Sequence, residues 1–178
     1  MRRLLISALI VSVLSVAGAS AAPAATCGDK LLEAGETCAQ CPADCTAQPC
    51  AAGKSRAKFA VEFTPPPAPD VTTVLLRIGY RTDRMGLPGS GTDQAVRARV
   101  KPMAHTPMLV PNNAQYALRV VVGGPPAVQS GQLVTVEFDR CQGAPPPTVA
   151  DLSCQVEACA NSAGPVDGCQ CKITAAAH

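Results

Sequence analysis

From Asp70 to Tyr80 the chain reads DVTTVLLRIGY, and its two parities separate cleanly. Val74, Leu76, Ile78 and Tyr80 fall on one, and Thr73, Leu75, Arg77 and Gly79 on the other. Successive strand side chains point to opposite faces, so the first set predicts an apolar ridge and the second a mixed face. The β-branched Val, Thr and Ile residues suit a pleated surface. A Pro-rich break at Thr64–Pro69 bounds the strand in front, and a polar, Gly-rich loop at Arg81–Gly91 bounds it behind. A ridge this long needs a second sheet to cover it.

Other segments supply that sheet. Phe59, Val61 and Phe63 alternate with Lys58, Ala60 and Glu62 after a polar linker at Ala51–Lys58. Val96, Ala98 and Val100 alternate with Arg97, Arg99 and Lys101, predicting a strand with a basic row on one face. Asn112-Asn113 reads as a turn before a strand at Tyr116–Val122, which Pro125-Pro126 closes. Strands at Leu133–Phe138, Leu152–Glu157 and Cys169–Thr174 follow, the last two joined by the turn-rich Ala160–Gly168. No segment after residue 25 sustains a helical period. Seven or eight short strands with regular turn punctuation predict an all-β sandwich or jelly roll.

The N-terminal residues change the picture from a domain to an exported domain. Arg2 and Arg3 precede the apolar run Leu4–Val16, and Ala19-Ser20-Ala21 offers a small-x-small cleavage site. The run is too short for a membrane span. Thr26 before Cys27 is wrong for lipid attachment, so residues 1–21 are expected to be a cleaved leader of a secreted, extracellular or periplasmic protein. Cleavage there leaves 157 residues with thirteen basic and thirteen acidic side chains. A neutral chain of this size is one domain with a small appendage, and it has no charge signature for nucleic acid.

All ten cysteines lie beyond the leader, which in an exported protein reads as a disulfide framework. Cys27, Cys38, Cys41, Cys45 and Cys50 belong to a short N-terminal unit, residues 26–50, that cannot bury a core alone. Cys141, Cys154, Cys159, Cys169 and Cys171 belong to the sandwich. Two odd sets cannot each close internally, so full oxidation requires a bridge between them. Cys159 and Cys169 flank the last turn and are expected to pair across it. Cys38-Ala-Gln-Cys41 has zinc-knuckle spacing, but no second pair or nearby His completes a tetrahedral site, so no metal is expected there. Asp29, Glu33, Glu36 and Asp44 could gather around calcium, although no D-x-D-x-D-G loop is present.

Two resemblances add to this reading. Cys27-Gly28-Asp29, Glu36, Cys38, Cys41-Pro42 and Asp44-Cys45 resemble a short Cys-rich motif of secreted bacterial proteins, with Lys30 and Leu32 departing from it. The order FAVEF, a Pro-rich turn, VTTVLLRIGY and LPGSG, then ALRVVV, SGQLVTVEF, DLSCQV and GCQCKIT, resembles a cohesin-like domain over residues 57–174. That likeness implies a nine-stranded jelly-roll sandwich, related in shape to carbohydrate-binding modules. It further implies a protein partner, dockerin-like or another surface protein, docked on a sheet face. Tyr80-Arg81-Thr82 departs from the Y-D-P that often follows the second strand. The resemblance places the first and last strands side by side and parallel, which implies a Cys50–Cys171 bridge, with Cys169 the nearest rival partner, and leaves Cys141 to pair with Cys154.

Candidate chemistry is thin. The only histidines are His105 and His178, neither within a nucleophile–base motif, so no catalytic role is expected. With no Trp, two Tyr and three Phe, a sugar-stacking platform is disfavoured, and only Tyr116 is an easy aromatic for the surface. The candidate binding residues are therefore Arg97, Arg99, Lys101 and Tyr116. The expected function is a secreted, non-catalytic interaction module; a carbohydrate-binding accessory to polysaccharide breakdown and a structural surface protein are the alternatives.

Overall fold

The computed structural model describes residues 26–29, 31, 33, 36–37, 39–45, 50–106, 108–114 and 117–176. The expected leader and its cleavage site lie outside these. Among the described residues ten strands follow in order: β1 (Ala52–Thr64), β2 (Thr73–Tyr80), β3 (Met85–Gly86), β4 (Val100–Pro102), β5 (Met108–Ala114), β6 (Ala117–Gly123), β7 (Gly131–Cys141), β8 (Leu152–Asn161), β9 (Gly164–Pro165) and β10 (Gln170–Ala175). They form two sheets in which every pairing is antiparallel. One has the order β10-β1-β7, with β3 and β4 both on the far side of β7; the other has the order β5-β6-β2-β8-β9. The all-β sandwich read from the alternation is the architecture observed.

The core is the set of residues that alternation turns inward. Val74, Leu76 and Ile78 are fully buried, and Tyr80 nearly so. Phe59, Val61 and Phe63 of β1 and Val134, Val136 and Phe138 of β7 meet them from the opposite sheet. The Phe138 ring packs 4.9 Å from Tyr80 and 6.3 Å from Phe59, centroid to centroid, in the tilted arrangements that aromatic quadrupoles favour.

Three elements differ from the sequence expectation. β1 starts at Ala52, so the supposed linker is the first part of a thirteen-residue strand. β5 incorporates Asn112-Asn113, which were expected to turn. Its Pro111 cannot donate to a ladder, and the strand accordingly sits at the sheet's edge. The third difference is helix α2 (Gln94–Arg99), where an alternating strand was expected. Asp93 decides it: one carboxylate oxygen accepts the Val96 N–H and the other the Ser90 N–H, both at 2.9 Å. This N-cap satisfies donors a helix start leaves orphaned, and the alternation survives only from Val100 onward.

These amide bonds hold the Asp93 carboxyl below the usual carboxylate range. A group whose pKa is depressed by folding stabilises fully above its unfolded value, about 4, and the contribution is lost as pH falls through the lower folded value. Asp93→Ala should therefore destabilise at neutral pH, and its difference from wild type should shrink in acid. Denaturant titrations of both proteins at a series of pH values test this.

Four disulfides join described residues. Cys159 is bonded to Cys169, the pair expected across the last turn. Cys50 is bonded to Cys141, and Cys154 to Cys171, in place of the expected Cys50–Cys171 and Cys141–Cys154. The reason is strand direction. β1 and β10 are antiparallel, not parallel, so Cys171 lies opposite Phe63, at the far end of β1 from Cys50. Ala52 pairs instead with Cys141, which brings Cys50 beside it. The fourth bridge, Cys27–Cys41, closes the N-terminal unit, while Cys38 and the Cys45 side chain lie outside the described residues.

A bulge makes the Cys154 and Cys159 bridges possible. Residues five apart on a regular strand face opposite ways. In β8 the register passes from Leu76↔Val156 to Leu75↔Ala158, leaving Glu157 as the extra residue. Cys154 and Cys159 then lie opposite Ile78 and Val74, both inward, and reach Cys171 on β10 and Cys169 just before that strand. The two bridges staple one lateral edge of the sandwich.

Candidate interaction surface

The outward parities of the two sheets differ in kind. On the β1–β7 sheet they carry Lys58, Glu62, Thr135 and Glu137, tied by ion pairs: Lys172–Glu62 at 2.9 Å and Arg56–Glu137 at 3.3 Å. The Lys172 ammonium holds the Glu62 carboxyl below its ordinary range. Exposed pairs of this kind contribute little and keep a face solvated.

The other sheet presents an apolar row. Val110 pairs with Val121, Val121 with Leu75, and Leu75 with Ala158, so four aliphatic side chains cross four strands on the outer face. Val110 and Ala158 at the ends are exposed, while Val121 and Leu75 are half-buried. Met108, 54% exposed, extends the patch along β5. The adjacent row is polar: Asn112, Arg119, Arg77 and Gln155. Arg119 is held by Glu157, the bulge residue, at 3.0 Å. The Arg77 guanidinium donates to the backbone carbonyl of Glu33 at 3.1 Å, so the Cys-rich unit meets this same face and borders the apolar row.

The expected site residues do not form this surface. Arg97 and Arg99 lie on α2, where residues two apart point to nearly opposite sides. Arg97 is exposed, whereas Arg99 lies 2.7 Å from Asp139, with both side chains largely buried. Lys101 is on β4, opposite Thr135 on the charged sheet. The single basic row is therefore not present, because the helix breaks it. Tyr116 lies outside the described residues, as does His178; His105 is exposed. Arg97→Ala should change unfolding free energy by no more than about 0.5 kcal/mol, as is usual for exposed side chains. Arg99→Ala should cost clearly more, because it leaves Asp139 half-buried with only the more distant Arg56, at 3.7 Å. Denaturant titration separates the two.

Within the Cys-rich unit, the four acidic residues do not converge. Asp29 accepts the Leu31 N–H, and Glu33 the Thr26 N–H. Asp44, nearly fully buried in the one-turn helix α1 (Pro42–Cys45), accepts the Gly28 N–H with both oxygens. Glu36 and Asp44 come within 4.8 Å of each other in one cluster, and its remaining atoms are the sulfurs of Cys27 and Cys41. Among the described residues, that cluster offers two carboxylates toward the six to eight oxygens that calcium takes. The Cys27–Cys41 bridge likewise removes a thiolate from the zinc-knuckle spacing.

The apolar row was partly open to sequence reasoning. Parity assigns Leu75 to the mixed face of its strand, but Asn112-Asn113 reads as a turn and the β8 bulge carries no local signal. Among the described residues, no helix is long and apolar enough to cross a membrane. Comparison of the chain with protein-family models, with curated proteins and with solved structures finds no match.

Proposed function

We propose that the protein is a secreted, non-catalytic interaction module that docks a protein partner on the outer face of the β5-β6-β2-β8 sheet. The observation that carries this reading is the Val110–Val121–Leu75–Ala158 row with exposed Met108 beside it. Interface centres are depleted in charge, and interfaces are enriched in Met, Arg and aromatic residues; this face shares the uncharged centre, the exposed Met and the neighbouring Arg. The opposite sheet, covered by ion pairs, does not. The cohesin resemblance supports the same kind of occupant: an amphipathic, dockerin-like helix pair with an apolar stripe for the row and carboxylates for Arg119. Export is supported by the leader pattern of residues 1–21 and by four disulfides.

A sugar-stacking platform has less support. Every aromatic ring among the described residues is buried: Phe59, Phe63, Tyr80 and Phe138. The test is affinity capture from the culture medium of the secreting cell, with the wild-type protein and a Val121→Lys variant run side by side. A protein retained by the wild type and lost from the variant is the expected result. Equal retention by both, or recovery of insoluble polysaccharide instead, contradicts the proposal.

A further inference from the structure

Between β7 and β8 the chain reads Gln142-Gly143-Ala144-Pro145-Pro146-Pro147-Thr148, and the three prolines decide its shape. Each proline fixes its own φ near the polyproline II value, and each pushes the residue before it out of the helical region. Ala144, Pro145 and Pro146 all precede a proline, so sterics alone predict a short polyproline II turn. Burial along the segment agrees. Ala144 and Pro147 are half-buried, while Pro145, Pro146 and Thr148 are exposed. A spacing of three is the period of that helix, so one edge rests on the protein and the other two face solvent.

Both ends of the turn are fixed. The Ala144 N–H donates to the Cys141 carbonyl, and Cys141 is bonded to Cys50. At the other end the Thr148 N–H and hydroxyl donate to the buried Asp151 carboxylate, at 2.8 and 3.1 Å. Between these anchors the prolines carry no N–H, and among the described residues the Pro145 and Pro146 carbonyls accept no hydrogen bond. Val149, 39% exposed, extends the ridge. Among the described residues the other large exposed hydrophobics, Met108 and Val110, belong to β5 and the docking face.

We propose that this ridge docks into an aromatic-lined groove of a protein partner, a groove bordered by a carboxylate. The exposed surface is made of pyrrolidine rings and carbonyl acceptors, with no backbone donor among the prolines. Its complement is a groove of Trp and Tyr, whose ring faces cover prolines and whose N–H and O–H groups meet the carbonyls. A turn already fixed at both ends loses little conformational entropy on binding. Charge at the foot of the ridge specifies the border. The Arg84 carbonyl accepts the Cys141 N–H, and its guanidinium lies 3.6 Å from Asp151, a carboxylate that Arg81 also approaches, at 4.0 Å. One buried carboxylate between two arginines leaves Arg84, with its side chain 28% exposed, suited to a further acidic group. The ridge lies on the connection from one sheet to the other, apart from the Val110–Ala158 row.

The test is an amide chemical-shift titration of the full mature chain with a panel of isolated WW domains, small modules with a Trp- and Tyr-lined groove, chosen with acidic and with neutral groove rims. Saturable shifts at Gly143, Ala144, Thr148 and Val149 are expected with at least one acidic-rimmed domain. Replacing the groove Trp of that domain with Ala should abolish them. Pro146→Ala and Val149→Lys, both at exposed positions, should each weaken binding by at least about tenfold. Pro67→Ala in the other Pro-rich turn and Val121→Lys on the docking face should leave it unchanged. Absence of saturable shifts with every domain, shifts confined to the apolar row, indifference to both ridge substitutions, or an equal loss with Pro67→Ala overturns the proposal.

Discussion

Replacing Leu76 with Ala is expected to lower the free energy of unfolding by about 2–5 kcal/mol, whereas Leu75→Ala should cost no more than about 1 kcal/mol. The two residues are neighbours in one strand and differ only in the face they occupy. Leu76 is fully buried, with Val120 on one side and Val156 on the other. Removing its isopropyl group leaves a cavity that the flanking strands, bonded on both edges, cannot collapse to fill. Leu75 points outward and is half-buried among Val121 and Ala158, so less apolar surface returns to water on truncation. Equilibrium denaturation of the two variants measures both numbers. Similar losses would mean that the outer face is packed like a core, and that it is not a free surface.

That contrast marks what could be read in the sequence. The inward ridge Val74–Tyr80 and its counterparts Phe59–Phe63 and Val134–Phe138 were legible because parity alone assigns a residue of a regular strand to a face. Departures from regularity were not. Asp93 draws four residues of good alternation, Val96–Arg99, into a helix through two hydrogen bonds, and that signal is only one cap residue long. Glu157 reverses the parity of half of β8, so the disulfide partners on that strand could not be found by counting. Strand direction was the third hidden variable. The cysteine count required a bridge between the N-terminal set and the sandwich, but only the antiparallel β1–β10 pairing selects Cys141 over Cys171.

The second large effect concerns that bridge. Substituting both Cys50 and Cys141 with Ala should destabilise the oxidised protein by about 3–5 kcal/mol in the chain-entropy account, since the pair spans 91 residues of sequence. The loss should come mainly from greater freedom of the unfolded chain, with the β1–β7 ladder retained. The Cys154–Cys171 and Cys159–Cys169 bridges span only 17 and 10 residues, so removing either should cost less. Chemical denaturation of the three double variants under non-reducing conditions ranks them. If the Cys50–Cys141 variant is the least affected, the bridge acts through native-state contacts and not through the length of the loop it closes. Limited proteolysis of the same variant should also release the Cys-rich unit faster, because the bridge fastens the start of β1, next to that unit, to the end of β7.

The distinction between the two outer faces matters most for function. One is crossed by ion pairs, and the other carries an uncharged row that begins beside the point where the Cys-rich unit is hydrogen-bonded to Arg77. A partner docked there would contact both the sandwich and the unit, which gives the appended segment a role in recognition as well as in stability. The most direct measurement is isothermal titration of the captured protein partner against wild type, Val121→Lys on the apolar row, and Thr135→Lys on the charged sheet. The account predicts that Val121→Lys weakens binding by at least about tenfold, since a buried unpaired charge at an interface centre costs at least about 1.4 kcal/mol, while Thr135→Lys binds as wild type does. Unchanged affinity for Val121→Lys with a loss for Thr135→Lys would move the docking surface to the opposite sheet and contradict it.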